Sequence, residues 1–170
     1  LPDGITYAIS GTTLTISGTP SGVTANQNFA YTIQPVNDTT GCTGNSVGGT
    51  ITVNADGELT ITSGNADQPL CEDEAITPIN LTLGGGATGV SIIANTAATA
   101  TAGNVLSTDL SWMNISTSGT SVTITGTPSA DITQTTEYAY TIKTTGNSCN
   151  PAIPIEGTIT VNPTPKVIYD

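Results

Sequence analysis

The stretch TTLTISGTPSGVTANQNFAYTIQPVNDTTGCTGNSVGGTITVN, Thr12 to Asn54, returns as TSVTITGTPSADITQTTEYAYTIKTTGNSCNPAIPIEGTITVN, Thr120 to Asn162, displaced by 108 positions. Both copies carry an I-x-G-T-P turn, an A-Y-T-I run and a G-T-I-T-V-N exit. A period this long is that of a whole domain and not of a solenoid unit. In a chain of 170 residues it leaves room for about one and a half such domains.

Within the copies, Leu14 and Ile16, like Val122 and Ile124, alternate with Thr, the period-2 pattern of a strand with one buried face. Phe29, Tyr31 and Ile33 correspond to Tyr138, Tyr140 and Ile142, and Ile51 and Val53 to Ile159 and Val161, so the same side chains are expected to point inward in both. Gly18-Thr19-Pro20 and Gly126-Thr127-Pro128 end their strands, because Gly permits unusual backbone angles and Pro removes a ladder donor. In the longer unit, Leu59 to Thr62, Ile76 to Leu83 and Val90 to Ile93 read as three further strands, separated by Gly84-Gly85-Gly86 and by acidic or Ala/Thr-rich connections. Seven short strands in about 110 residues predict an immunoglobulin-like β-sandwich. The expected fold class is all-β, with tandem immunoglobulin-like repeats, the first N-terminally incomplete. The expected organisation is the C-terminal half of one repeat over 1–54, a complete repeat over 55–162, and the start of a linker or further repeat over 163–170, where Val167-Ile168-Tyr169 resembles an opening strand.

Composition narrows the function. Two lysines and no arginine or histidine stand against 13 acidic residues, a formal net charge of −11, and only 9% of residues are charged. Without a basic patch there is no counterion release to drive nucleic-acid binding, and no run approaches the length of a membrane-spanning helix. Scarce helix formers, abundant β-branched residues and regular apolar alternation predict an ordered, strand-rich extracellular protein.

The three cysteines fit that setting as a disulfide framework. Cys42 and Cys149 are repeat equivalents, so the expected bridge is Cys71 to Cys149, with Cys42 unpaired because its partner would precede Leu1. Such a bridge, closing roughly 80 residues, would stabilise by about 4–5 kcal/mol in the chain-entropy picture. Zinc is disfavoured by the lack of His and of any C-x-x-C spacing.

Carboxylates are the chain's only candidate acid–base groups, and their densest run, Glu72-Asp73-Glu74, reads as a solvated loop rather than a catalytic pair. No cofactor is expected. Calcium is the one weak metal candidate: Asp56 and Glu58 at the predicted junction, with Asp67 or with Glu72, Asp73 and Glu74, offer oxygen ligands, but no D-x-D-x-D-G loop is present. Lys143 reads as a solvent-facing strand residue, and Trp112 as a core residue in preference to a sugar-stacking platform.

The segments Leu70-Cys71-Glu72, Ala75-Ile76-Thr77-Pro78-Ile79, Leu83-Gly84-Gly85-Gly86-Ala87-Thr88-Gly89-Val90, Leu1-Pro2-Asp3-Gly4-Ile5, Leu14 to Pro20 and Gly157 to Val161 together resemble a known repeat. It is similar to the immunoglobulin-like repeat of the very large, type IX-secreted surface adhesins of gliding flavobacteria, the SprB-like proteins. That resemblance implies an extracellular cell-surface stalk used in attachment or gliding, with no catalytic residues. Neighbouring repeats are its implied partners, and an external surface or glycan would be met by regions outside this chain. Asp38-Thr39-Thr40 resembles the O-glycosylation acceptor of such bacteria, making Thr39 a candidate site. The second unit departs from L-P-x-G-I at Leu106 to Asn114, so a differently shaped loop is expected there. Two other classes remain open: a self-assembling filament subunit completed by donor strands, and a carbohydrate-binding accessory module.

Overall fold

The structure is a computed structural model and describes residues 1–37, 39–128, 131–146 and 148–165. It is all-β, with thirteen strands and no helix among the described residues. The chain divides into two compact units, Leu1–Ala55 and Asp56–Asp170. Residues 166–170, where a further strand is expected, lie outside the described residues.

In the first unit, β1 (Ile5–Ser10) and β2 (Thr13–Gly18) form one antiparallel hairpin, and β3 (Gln27–Ile33) and β4 (Val47–Val53) form another. β3 ends at Ile33, because Pro35 follows and has no N–H to continue the ladder. Each hairpin collects its apolar side chains on one face, with Tyr7 opposite Ile16, Ile9 opposite Leu14 and Phe29 opposite Ile51. None of these side chains is fully buried.

The second unit holds nine strands, β5 (Gly57–Ser63), β6 (Gln68–Cys71), β7 (Ile79–Gly85), β8 (Ala87–Ala94), β9 (Val105–Leu106), β10 (Met113–Ser118), β11 (Ser121–Gly126), β12 (Thr136–Gly146) and β13 (Ile155–Asn162). One sheet has the order β10-β11-β7-β5, and the other β6-β13-β12-β8 with β9 added to β12. In immunoglobulin lettering the first is D-E-B-A, and the second pairs a parallel A′ strand with G-F-C. The unit is an immunoglobulin-like β-sandwich.

Two of its strands escape the sequence pattern. β6 is only four residues long and lies beside the acidic run, and β9 has two residues. Both join the sheet by parallel pairing, β6 with β13 and β9 with β12, and parallel partners are far apart in sequence. β7 begins at Ile79 and not Ile76, since Pro78 cannot donate to a ladder.

The core lies between the sheets. Ile79, Leu81 and Leu83 of β7 and Val122 and Ile124 of β11 face Tyr138, Tyr140 and Ile142 of β12 and Ile159 and Val161 of β13, all no more than 5% exposed. One buried amide closes its end: Gln68 Nε2 donates to the carbonyls of Asn65 and Thr77, and Gln68 Oε1 accepts from the Thr77 N–H. Every polar atom of that amide is thereby engaged, as burial demands.

Tyr140 lies over Gly157, its cross-strand partner, and donates its hydroxyl to the Ala66 carbonyl at 2.7 Å. The first unit repeats the pair: a Cβ on Gly49 would fall 2.5 Å from the ring of Tyr31. An aromatic ring thus fills the place that glycine leaves open on the neighbouring strand.

The departure at Leu106 to Asn114 changes the turn's type and keeps its closure. Ile5 N–H bonds to the Pro2 carbonyl at 3.1 Å, and Met113 N–H to that of Leu110 at 3.0 Å. Gly4 takes φ +80°, as type II requires at its third position, while Trp112 in the equivalent place avoids positive φ.

Candidate functional site

The acidic residues read as calcium candidates do not converge. Asp56 Oδ1 accepts from Asn150 Nδ2 at 2.8 Å, and Glu58 lies across Gly84 at the start of β5. Glu72, Asp73 and Glu74 sit in the turn after β6, where Glu74 Oε2 caps the Cys71 N–H at 3.1 Å and Glu72 Oε1 takes the Thr164 hydroxyl and N–H. Asn150 precedes β13 and Cys71 pairs with Asn162 at its far end, so the length of that strand separates the two groups. Asp67 is engaged with the Thr158 N–H at 2.8 Å. Among the described residues no group of three or more His, Cys, Asp or Glu is placed to hold a metal ion.

The expected bridge between Cys71 and Cys149 is not formed, and this corrects the sequence reading. Cys42, Cys71 and Cys149 are exposed free thiols. Cys71 is paired with Asn162, the last residue of β13, while Cys149 precedes Ile155, its first. The seven strand steps between those ends, at about 3.3 Å each, span about 23 Å, so Cys71 and Cys149 lie at opposite ends of β13 and beyond disulfide reach. Repeat equivalence of Cys149 with Cys42 said nothing of where Cys71 lies along the sandwich. All three thiols are expected to react with a thiol reagent in the native protein, and Cys71→Ser is expected to leave the melting temperature unchanged. A protected pair, released only by reductant, would restore the bridge.

Thr39 lies in an exposed turn organised by Asn37, whose Oδ1 accepts from the N–H groups of Thr39 and Thr40 at 3.0 and 3.1 Å. Asp38 lies outside the described residues. Lys143 is exposed on β12, opposite Ser91. Trp112 packs on the core: its ring meets Tyr138 edge to face, centroids 5.4 Å apart, and its Nε1–H donates to the Asp109 carbonyl at 3.1 Å. The ring is partly buried against the core and also lines a depression of about 660 Å³ with Ile76, Pro78, Asn114 and Thr125.

The buried carboxylate of Glu137, 7% exposed, was not singled out by sequence reasoning. Glu137 Oε2 accepts from Thr101 N–H at 3.0 Å and Oε1 from Asn104 Nδ2 at 2.7 Å. These donors lie more than 30 residues earlier, so no local motif could reveal them. They tie the loop before β9 to β12. Beside Glu137 is a depression of about 370 Å³ lined in part by Asp67, Thr99, Thr101, Thr158 and Thr160. Its two carboxylates already accept bonds from the protein's own donors.

Hydrogen bonds from Thr101 first, and then Asn104, hold the Glu137 carboxyl below its ordinary value. A lowered folded value means stability is present above the ordinary glutamate value and is lost as pH falls through the folded one. Glu137→Gln is therefore expected to flatten the decline in melting temperature below about pH 4.5. An unchanged acid profile would remove Glu137 from that role.

A further apolar opening belongs to the first unit. Leu1, Tyr7, Ile9, Leu14, Ile16, Tyr31 and Ile33 line a cavity of about 480 Å³ between its hairpins. Tyr7 and Ile9 are 64% and 67% exposed.

No protein-family profile matches this chain, and no curated protein matches it. Two solved structures show distant likeness. Domains 4 and 5 of the S-layer protein SbsC share 15% identity at a TM-score of 0.38, covering 91% of this chain and 84% of that one. The endo-fucoidan hydrolase MfFcnA4, from glycoside hydrolase family 107, shares 16% identity at a TM-score of 0.32, covering 98% of this chain and 23% of that one. No helix among the described residues is long and apolar enough to cross a membrane.

Proposed function

We propose that this chain is a run of structural repeats from an extracellular, cell-surface stalk, of the kind that SprB-like adhesins of gliding flavobacteria export by type IX secretion for attachment or gliding. Its partners are neighbouring repeats, and the adhesive contact with a surface or glycan lies elsewhere in the assembly. It carries out no catalysis and needs no cofactor.

The observation that supports this reading is which residues the two copies share. Positions 14, 16, 31, 33, 51 and 53 and their equivalents are inward-facing apolar residues, Gly18, Gly126 and Gly157 sit at close backbone approaches, and Gly49 sits under the Tyr31 ring. The shared residues thus serve packing and turns, while the loops differ. Duplication that keeps the scaffold and leaves the loops free suits a spacer, whereas a repeated binding module would also keep a polar or aromatic site.

Antibody raised against the chain tests this on intact cells of the source organism. Surface labelling without permeabilisation is expected, together with an immunoblot band far above 17.1 kDa. Labelling only after permeabilisation would overturn the reading. So would specific retention on a glycan array, which would favour a binding module.

A further inference from the structure

We propose that the open apolar face of the first unit accepts the front half of this same repeat, a segment patterned like Asp56–Leu106 and not already engaged with its own back half. Its β7-like strand adds antiparallel to the free edge of β2.

The second unit supplies the template. There β11 pairs with β10 on one side and β7 on the other, and β13 with β12 and β6. Their equivalents β2 and β4 each pair on one side only among the described residues. Val122, Ile124, Tyr140, Ile142, Ile159 and Val161 are completely shielded, whereas Leu14, Ile16, Tyr31, Ile33, Ile51 and Val53 are half-buried. The chemistry of the two faces is nearly the same, and what differs is the five strands laid over one of them. An open strand edge beside an apolar face takes an added strand through main-chain hydrogen bonds, with alternate side chains setting register.

That register can be written down. Val122 opposes Leu81 and Ile124 opposes Ile79, so Leu14 takes a Leu81 equivalent and Ile16 an Ile79 equivalent. Val161 opposes Leu70 in parallel, so Val53 takes a Leu70 equivalent. The Tyr31 hydroxyl, which has no partner among the described residues, gains the carbonyl that Ala66 gives Tyr140. Charge does not oppose the docking, since the first unit carries only Asp3 and Asp38 as acidic residues.

The test adds a separate polypeptide of residues 56–106 to the full chain and reads native mass and amide hydrogen exchange. A 1:1 complex is expected, with slowed exchange at Thr13–Ser17, Phe29–Ile33 and Ile51–Val53. Ile16→Asp in the chain, or Ile79→Asp with Leu81→Asp in the added polypeptide, is expected to weaken binding at least tenfold. Because Trp112 and β5–β13 stay intact, loss of binding by Ile16→Asp is separable from unfolding. No complex, protection confined to the second unit through exchange of its own strands, or self-association of the chain through this face would each overturn the proposal.

Discussion

Ile124→Ala is expected to lower the stability of the second unit by about 2–5 kcal/mol, the range for truncating a buried Ile in a core that cannot collapse around the cavity. Ile124 is fully buried, lies between β10 and β7, and faces β12 and β13 across the sandwich. Its repeat equivalent Ile16 has the same side chain and an alternating strand of nearly the same sequence, yet is only half-buried. Ile16→Ala should cost less than about 1 kcal/mol, because the apolar area it withdraws from water is a fraction of that at Ile124. Urea unfolding followed by the fluorescence of Trp112, the single tryptophan, reports the second unit. The midpoint should fall by on the order of 1–2 M for Ile124→Ala, while the smaller shift of Ile16→Ala is read from the circular-dichroism transition, since the first unit holds no tryptophan. Equal shifts would mean that the packing difference between the copies has no energetic weight.

Gly157→Ala should be nearly as damaging, although it adds one methyl group. A Cβ at Gly157 would stand 2.6 Å from the Ala66 carbonyl oxygen, 2.7 Å from the Tyr140 hydroxyl and 2.8 Å from its ring. The Tyr140 ring is enclosed by the core and the carbonyl belongs to the backbone, so neither can move aside cheaply. Overpacking of about 1–3 kcal/mol adds to loss of the 2.7 Å hydrogen bond, which contributes about 1 kcal/mol, giving roughly 2–4 kcal/mol together. Tyr140→Phe removes the hydroxyl in advance, so the double variant should lose less than the sum of the two singles. Strict additivity in that cycle would show that the clash lies elsewhere.

Alkali probes the same residue. Burial first, and then the nearby charge of Asp67, push the Tyr140 hydroxyl well above the ordinary tyrosine value; burial first and then Asp109 raise Tyr138. With the folded value raised, the unfolded chain releases its protons first. Stability is then full below about pH 10 and declines above it. Tyr140→Phe should make that alkaline decline shallower.

The strands that make local antiparallel hairpins were legible in the sequence. β11, β12 and β13 announce themselves by alternation, and the duplicate copy supports each. Strands recruited from afar were not legible: β6 and β9 are short and join through parallel pairing, so neither carries a pattern long enough to read. The candidate sites followed the same division. Trp112 was legible as a core residue because a large apolar ring in a sandwich has few other places to go. Glu137 was not, because its partners Thr101 and Asn104 reach it only through the fold.

The cysteines mark where the two kinds of information part. Duplication by itself determined the all-β class and the strand faces, because each is a local pattern of side-chain size and backbone freedom written twice. Only the tertiary structure decided that Cys71 and Cys149 lie toward opposite ends of β13, that Glu72 and Asp56 occupy different ends of that strand, and that one copy's apolar face is shielded while the other's is open. Those are distances between residues far apart in the chain. Strand pairing sets them, and no spacing along a sequence encodes which strands will lie side by side.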